Sequence, residues 1–259
     1  MDFLSILGLG QTALELGLIT GLTVLALFLS YSMLNICDLS TDGCFTLGAA
    51  VGATVAAAGY PYLSIFAAMG AGIVSGLITA FLQTKMGIDS LLSGIIVNTG
   101  LYSINIAIMG SSQVNLNKAD TVFTKMNSLL AETAFSGQSK LVVILIAVVL
   151  VVLFLSVFLK TKLGLAIRAT GNNSAMVKSS SINPVFTIII GLCISNAFTG
   201  LSGCLMAQYN KSANIDIGSG IVTIALASLL IGRAFMGKGK LVFRIIGAVI
   251  GSFVFRLVY

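Results

Sequence analysis

Apolar stretches of about 20 residues, long enough to cross a bilayer as helices, recur along this whole chain with only short polar breaks between them. No water-soluble fold could hide that much apolar surface. Of the 259 residues, 57% are hydrophobic and 8% charged, whereas an average soluble domain is about a quarter charged. Segments at 12–34, 44–59, 61–84, 89–109, 140–159, 185–207, 219–235 and 241–258 read as membrane segments. Backbone in lipid must find its hydrogen bonds internally. The expected fold is therefore an all-α integral membrane protein, a polytopic helical bundle of about eight segments in one transmembrane domain over 1–259. The segments at 44–59 and 219–235 are short for a crossing and read as half-helices or tilted, buried pieces.

Charge sets the orientation, because loops rich in Lys and Arg beside membrane spans lie on the cytosolic side. Placing Lys85, the loop 160–184 and the stretch Arg233–Arg244 there gives that side nine of the 14 basic residues. Lys118, Lys125, Lys140, Lys211 and Arg256 fall opposite, and both termini lie outside. The N-terminus shows neither a basic n-region nor a small-residue cleavage site, so the first span is expected to be retained.

Several chemistries have no residues to carry them. The chain lacks His, and Cys37, Cys44, Cys193 and Cys204 form no C-x-x-C pair and no zinc pattern, so neither metal nor cofactor is expected. The thiols read as free groups in a packed bundle. There is no G-x-x-x-x-G-K-[ST] loop, no H-E-x-x-H and no nucleophile elbow, so neither P-loop binding of ATP nor catalysis is expected. Nothing points to nucleic acid. Asp38 and Asp42, followed by Gly43, read as a sharp polar turn whose aspartates cap the next helix, with a cation site as the weaker alternative. Gly218-Ser219-Gly220 reads as a break before an apolar run.

Within the spans, Gly48–Gly52, Gly72–Gly76 and Gly247–Gly251 each place two bare backbones on one helix face. They read first as packing surfaces and second as a subunit contact. Asn98 and Asn105 share a face of the fourth segment, and Asn196, Thr199 and Gly203 share a face of the sixth. Such amides serve as hydrogen-bonding glue between helices or, on the sharper reading, Asn98, Asn105 and Asn196 line a hydrated translocation path. Strong ionisable residues are missing from the span centres, which argues against a proton or sodium relay.

The loop 160–184 carries Lys160, Lys162, Arg168 and Lys178 and no acid. Thr170-Gly171-Asn172-Asn173-Ser174 reads as a turn with helix caps, Ala175–Ser181 as about two helical turns, and Asn183-Pro184 as their end. Met176 and Ile182 are apolar residues suited to a protein groove, with Lys178 and Arg168 beside them to meet acids. The alternative is a connector resting on lipid headgroups. The loop 110–139 is the longest polar stretch of the other side and reads as a landing surface for an external protein or as a loose connector.

Ile167-Arg-Ala-Thr-Gly-Asn-Asn-Ser-Ala-Met176, followed by Ser181-Ile-Asn183, resembles the cytosolic coupling-helix region of permease subunits in ABC importers of the branched-chain amino acid and ribose type. The likeness continues through Leu201–Tyr209 and Gly218–Gly232, and Asp38–Gly48 is similar to the early turn of a subgroup associated with amino-acid, including aromatic amino-acid, uptake. The resemblance implies an ATP-driven uptake system in a bacterial cell membrane. Its partners would be cytosolic ABC ATPase subunits, an external solute-binding protein and a second permease in a homodimer. Gly171, Asn172, Asn173, Ala175, Met176, Val177, Lys178, Ile182 and Asn183 would couple to the ATPase. Ser181, where the family tends to have Gly, and Arg233, where the subgroup tends to have an acid, depart from the pattern. Relatives tend to run on for another span, so a truncated C-terminus is expected. The competing function is an ion-coupled secondary transporter, which would need coupling-ion ligands and inverted repeats.

Overall fold

A computed structural model describes residues 3–117, 119–130, 138–180, 182–236 and 241–258. Helix α1 (Phe3–Leu27) runs on through a π-helical stretch, Phe28–Met33, and is followed by α2 (Thr41–Ala57), α3 (Pro61–Thr84) and α4 (Ser90–Met109). Then come β1 (Gln113–Asn115), α5 (Val122–Leu130), α6 (Ser139–Phe158), α7 (Lys162–Asn172) and α8 (Ser174–Ser179). The chain closes with α9 (Pro184–Asn210), β2 (Ser212–Asn214), α10 (Ile221–Met236) and α11 (Leu241–Val258). Each of the apolar segments expected from sequence is a helix. Among the described residues, six helices are long and apolar enough to span a membrane: Gly10–Met33, α3, α4, α6, α9 and α11. At 17 and 16 residues, α2 and α10 are the short members, as their sequences indicate.

The longest uninterrupted α-helix, α9, is the axis of the bundle. Its small residues let neighbours approach to backbone distance, the form of packing available where lipid supplies no hydrophobic drive. Gly48 and Gly52 of α2 meet Gly200 and Cys204, and Gly72 and Gly76 of α3 meet Asn196 and Leu192, each so closely that a Cβ would overlap. Gly247 and Gly251 of α11 meet Gly232 and Ser228 of α10 in the same way. All three glycine pairs are thus used within the chain, which removes them as candidates for a subunit contact. α1 lies antiparallel to α9: Ser202 donates to Ile19 O at 2.6 Å and Ser195 to Ala26 O at 2.8 Å. Outward, α3, α4 and α6 present Phe66, Phe81, Leu92, Ile95, Leu150 and Leu153, each half exposed or more, as side chains facing lipid should be.

Two ends can be told apart. The basic end gathers Lys85, α7, α8 and the C-terminus of α10 with Arg233. The far end holds the antiparallel pair β1–β2, with Gln113 opposite Asn214 and Asn115 opposite Ser212. The described part of the polar loop at this end is anchored. Leu116, Val122 and Phe123 are buried, and the Val122 N–H donates to Gln208 Oε1 at 2.8 Å. α2 begins beside Asn196, where Cys44 Sγ donates to Asn196 O at 3.3 Å, and ends where Ala53 and Ala56 pack with Leu116 and Ala213. The two short helices therefore both start inside the bundle and leave toward opposite ends.

Candidate functional site

The turn between α1 and α2 corrects the expected capping. Ser40 is the N-cap of α2, and neither aspartate caps that helix. Asp38, fully buried, accepts the Ser40 N–H at 2.9 Å and the Ser40 hydroxyl at 2.6 Å on Oδ1, and the Asn196 amide at 2.9 Å on Oδ2. Thr79 of α3 donates to Ser40 Oγ at 3.2 Å and closes the cluster. Asp42 turns the other way. Its carboxylate accepts the Val222 N–H at 2.8 Å and the Gly220 N–H at 3.1 Å, so it caps α10 from across the bundle. A carboxylate there offsets the partial positive charge of two converging helix starts. Gly220 sits at φ +78°, a left-handed conformation that glycine adopts without strain, and this lets the chain turn into α10 beneath Asp42.

A cavity of about 310 Å3 opens at this junction, bounded by Asp42, Asn98, Thr99, Tyr102, Asn105 and Asp216 among others. The segment before α10 forms one wall, since Gly218 packs directly on the Asp42 backbone and Thr46. Gly218-Ser219-Gly220 is therefore a built part of the site rather than a mere break. Asn98 and Asn105 reach the cavity together, as their spacing on α4 requires. Asn105 is 1% exposed; its Nδ2 donates to Gly43 O at 3.2 Å, while its Oδ1 has no partner. Asn196 is not on this wall: it is fully buried in the Asp38 cluster, with its own Oδ1 unpartnered. Thr199 bonds back to Ser195 O at 3.2 Å, and Gly203 packs on Phe45.

Span centres are free of acids as the sequence indicates, yet two carboxylates are buried nearer the breaks and ends. Besides Asp38, Glu15 is 5% exposed and accepts the Tyr209 hydroxyl at 2.8 Å and the Gln11 amide at 3.2 Å. Asp38 and Asp42 engage different partners, and no cluster of three or more metal-ligating side chains occurs among the described residues. The four cysteines are free, with Cys44 and Cys204 buried. Sequence reasoning missed Asp216 and the reach of Asp42. The available signal was an acid and a Gly-Ser-Gly run ahead of an apolar stretch too short to span.

At the basic end the expected turn at 170–174 is a helix for most of its length. α7 continues through Gly171 and Asn172, because Gly171 packs its bare backbone on Met33 O and Leu34. Only Asn173 breaks the path, its Oδ1 accepting the Ala175 and Met176 N–H groups at 3.1 Å to start α8. α8 is six residues long, Ser174–Ser179, shorter than anticipated, and Ser181 lies outside the described residues. Asn183 caps α9 through the Val185 N–H at 3.0 Å. The residues of this loop thus divide by role. Gly171, Asn173, Val177 and Asn183 hold it in place, while Asn172, Ala175, Met176 and Lys178 face outward, Met176 at 67% exposure. Met176 and the half-buried Ile182 edge one hollow of about 370 Å3.

A multi-pass helical bundle with a polar cavity where two short helices start has the build of a membrane transport component. The chain belongs to the family described as branched-chain amino acid transport system / permease component, whose profile matches residues 11–259. It is 34% identical over 241 residues to a tyrosine transport system permease protein of Clostridioides difficile, covering 92% of this chain and 78% of that one. An uncharacterised protein of Rickettsia prowazekii is 32% identical, covering 86% of this chain and 76% of its own length. The ribose import permease protein of Escherichia coli is 26% identical, covering 83% and 67%. No solved structure matches the chain. The protein is thus a multi-pass permease component of a bacterial inner-membrane transport system, and a secondary transporter is not favoured.

Proposed function

We propose that this permease passes a small polar solute, an amino acid, through the cavity at Asp42. ATP would be hydrolysed by separate subunits docked at the basic end. The cavity carries the reading: about 310 Å3 of space bounded by carboxylate, amide and phenol groups, with the buried Asn105 Oδ1 left without a partner, suits a solute bearing hydrogen-bond donors. The relative with tyrosine in its name, at 34% identity, supports an amino acid over a sugar. Asn98 and Asn105 contact the solute, and Asn196 supports the cavity floor through Asp38 and the turn that holds Asp42. Met176, with Asn172, Ala175, Lys178 and Ile182 around it, enters a groove of the ATPase. Gly171, Asn173, Val177 and Asn183 fix the angle at which α8 is offered. A solute-binding protein lands at the far end, on the loop 110–139 among others, and two copies of the permease form a homodimer.

Reconstitution tests this directly. The permease alone in liposomes should give no concentrative uptake under a proton or sodium gradient, and adding ATPase, binding protein and internal ATP should start import. Gradient-driven accumulation by the isolated chain would reject the reading. Met176→Asp should uncouple ATP hydrolysis from import by putting an unpaired charge in an apolar groove. Normal uptake and ATPase association in that variant would remove α8 from the coupling role. Cys at 98 or 105, with the four native thiols replaced, should react with small water-soluble thiol reagents, and inertness in both resting and ATP-bound states would assign the amides to packing.

A further inference from the structure

Three arginines converge at the basic end. Arg168 lies on the exposed face of α7, Arg233 in the last turn of α10 and Arg244 in the first turn of α11. The half-buried Arg244 donates to Ser32 Oγ at 3.0 Å and holds its guanidinium 5.7 Å from the Phe28 ring centre. Arg168 and Arg233 both act on it as like charges. A hollow of about 380 Å3 opens between Arg168 and Arg244; its wall also includes Ser32 and Leu165 and no Asp or Glu, and Arg233 stands outside that wall, close enough to act on Arg244.

Bringing three cations together costs Coulomb energy, which the low-dielectric flank of a bundle screens poorly. The C-terminal dipole of α10 compensates Arg233, which sits in its last turn, and leaves the other two guanidinium groups to be balanced. The surroundings indicate what balances them. Leu165, which lines the hollow, and Leu230, Phe235 and Phe243 on α10 and α11 are each more than half exposed, so the helices that carry the arginines also turn apolar side chains outward. A ligand that matches both parts has an anionic head and hydrocarbon tails. We propose that this hollow binds the headgroup phosphate of an anionic glycerophospholipid of the phosphatidylglycerol class, with its acyl chains along the apolar side chains. Arg244 favours lipid over an acidic protein segment, because it is tucked against Phe28 and Ser32 on the flank of α1 and not displayed on the loop that carries α8.

Native mass spectrometry of the full purified chain, offered phosphatidylglycerol and phosphatidylcholine with the same acyl chains, tests the site. The expected result is a preference of about tenfold for phosphatidylglycerol. Arg168→Gln combined with Arg233→Gln should abolish it, and Arg168→Lys with Arg233→Lys should keep most of it. Both residues are exposed, so these substitutions remove charge without opening the core, and gel filtration confirms that each variant is folded. Equal retention of the two lipids, or an undiminished preference in the glutamine variant, overturns the proposal. So does thermal protection by inorganic phosphate alone as strong as that by phosphatidylglycerol, which would assign the hollow to a free anion. Loss of ATPase co-purification in the glutamine variant with lipid preference intact would assign the arginines to a protein contact instead.

Discussion

Helices α6 and α9 invert the rule of water-soluble proteins. From Leu141 to Leu155, α6 contains no polar side chain, yet only 28% of its span is buried. α9 carries Thr187, Ser195, Asn196, Thr199, Ser202 and Gln208, and 61% of its span is buried. Where the solvent is hydrocarbon, the apolar helix belongs outside, and the polar one must go where its groups find partners. Of these two helices, the one with more hydrogen-bonding groups sits deeper. Ser195, Ser202 and Gln208 each reach another element of the chain, and none of them is wasted on lipid.

Four substitutions can break or sharpen that contrast. The largest effect is expected at the contact of α3 with α9: Gly72→Leu drives a side chain into the Asn196 carbonyl and should cost about 3 kcal/mol or more. Fluorescence-detected gel filtration should show most of the folded peak lost, and a normal peak would mean the helices are not locked at backbone distance. Next comes Asn196→Leu, which takes one of three donors from the buried Asp38 carboxylate and should cost about 2–3 kcal/mol. Adding Asp38→Leu should recover part of that loss in thermal unfolding, because replacing both partners removes the stranded charge. Gln208→Leu, which gives up bonds to Ser64 and Val122, should cost about 1 kcal/mol. At the bottom is Leu150→Ala on the lipid face of α6, expected within about 0.5 kcal/mol. If it destabilised as much as Gln208→Leu, α6 would have to face protein at that position.

Much of the fold could be read from hydropathy, because a bilayer sets the length of its helices. The segment at 61–84 matches α3 at both ends, and the short segments at 44–59 and 219–235 became the short helices α2 and α10. The glycine pairs were legible as packing faces for an equally simple reason, that only a missing side chain allows such approach. The site was legible in pieces. Helical spacing put Asn98 and Asn105 on one face, and one cavity receives both. What periodicity could not show was pairing across distance. Asp42 lies next to the start of α2, and local rules assign it there; its true partners, Gly220 and Val222, come into reach only once α9 has brought the two halves of the chain together. Gly171 failed in the same way. It looks like a turn residue, but the surface it meets is supplied by Met33 and Leu34.

That single carboxylate at position 42 joins two levers. α2 leaves it toward the β1–β2 pair, and α10 leaves it toward the arginines of the basic end. The inner ends of the two helices are tied by the Gly220 and Val222 N–H bonds to Asp42, so a movement of α10 begun near Arg233 would load the wall of the cavity through that tie. A rivet at the crossing makes two short rods act as one bent rocker, with its elbow where the solute would pass.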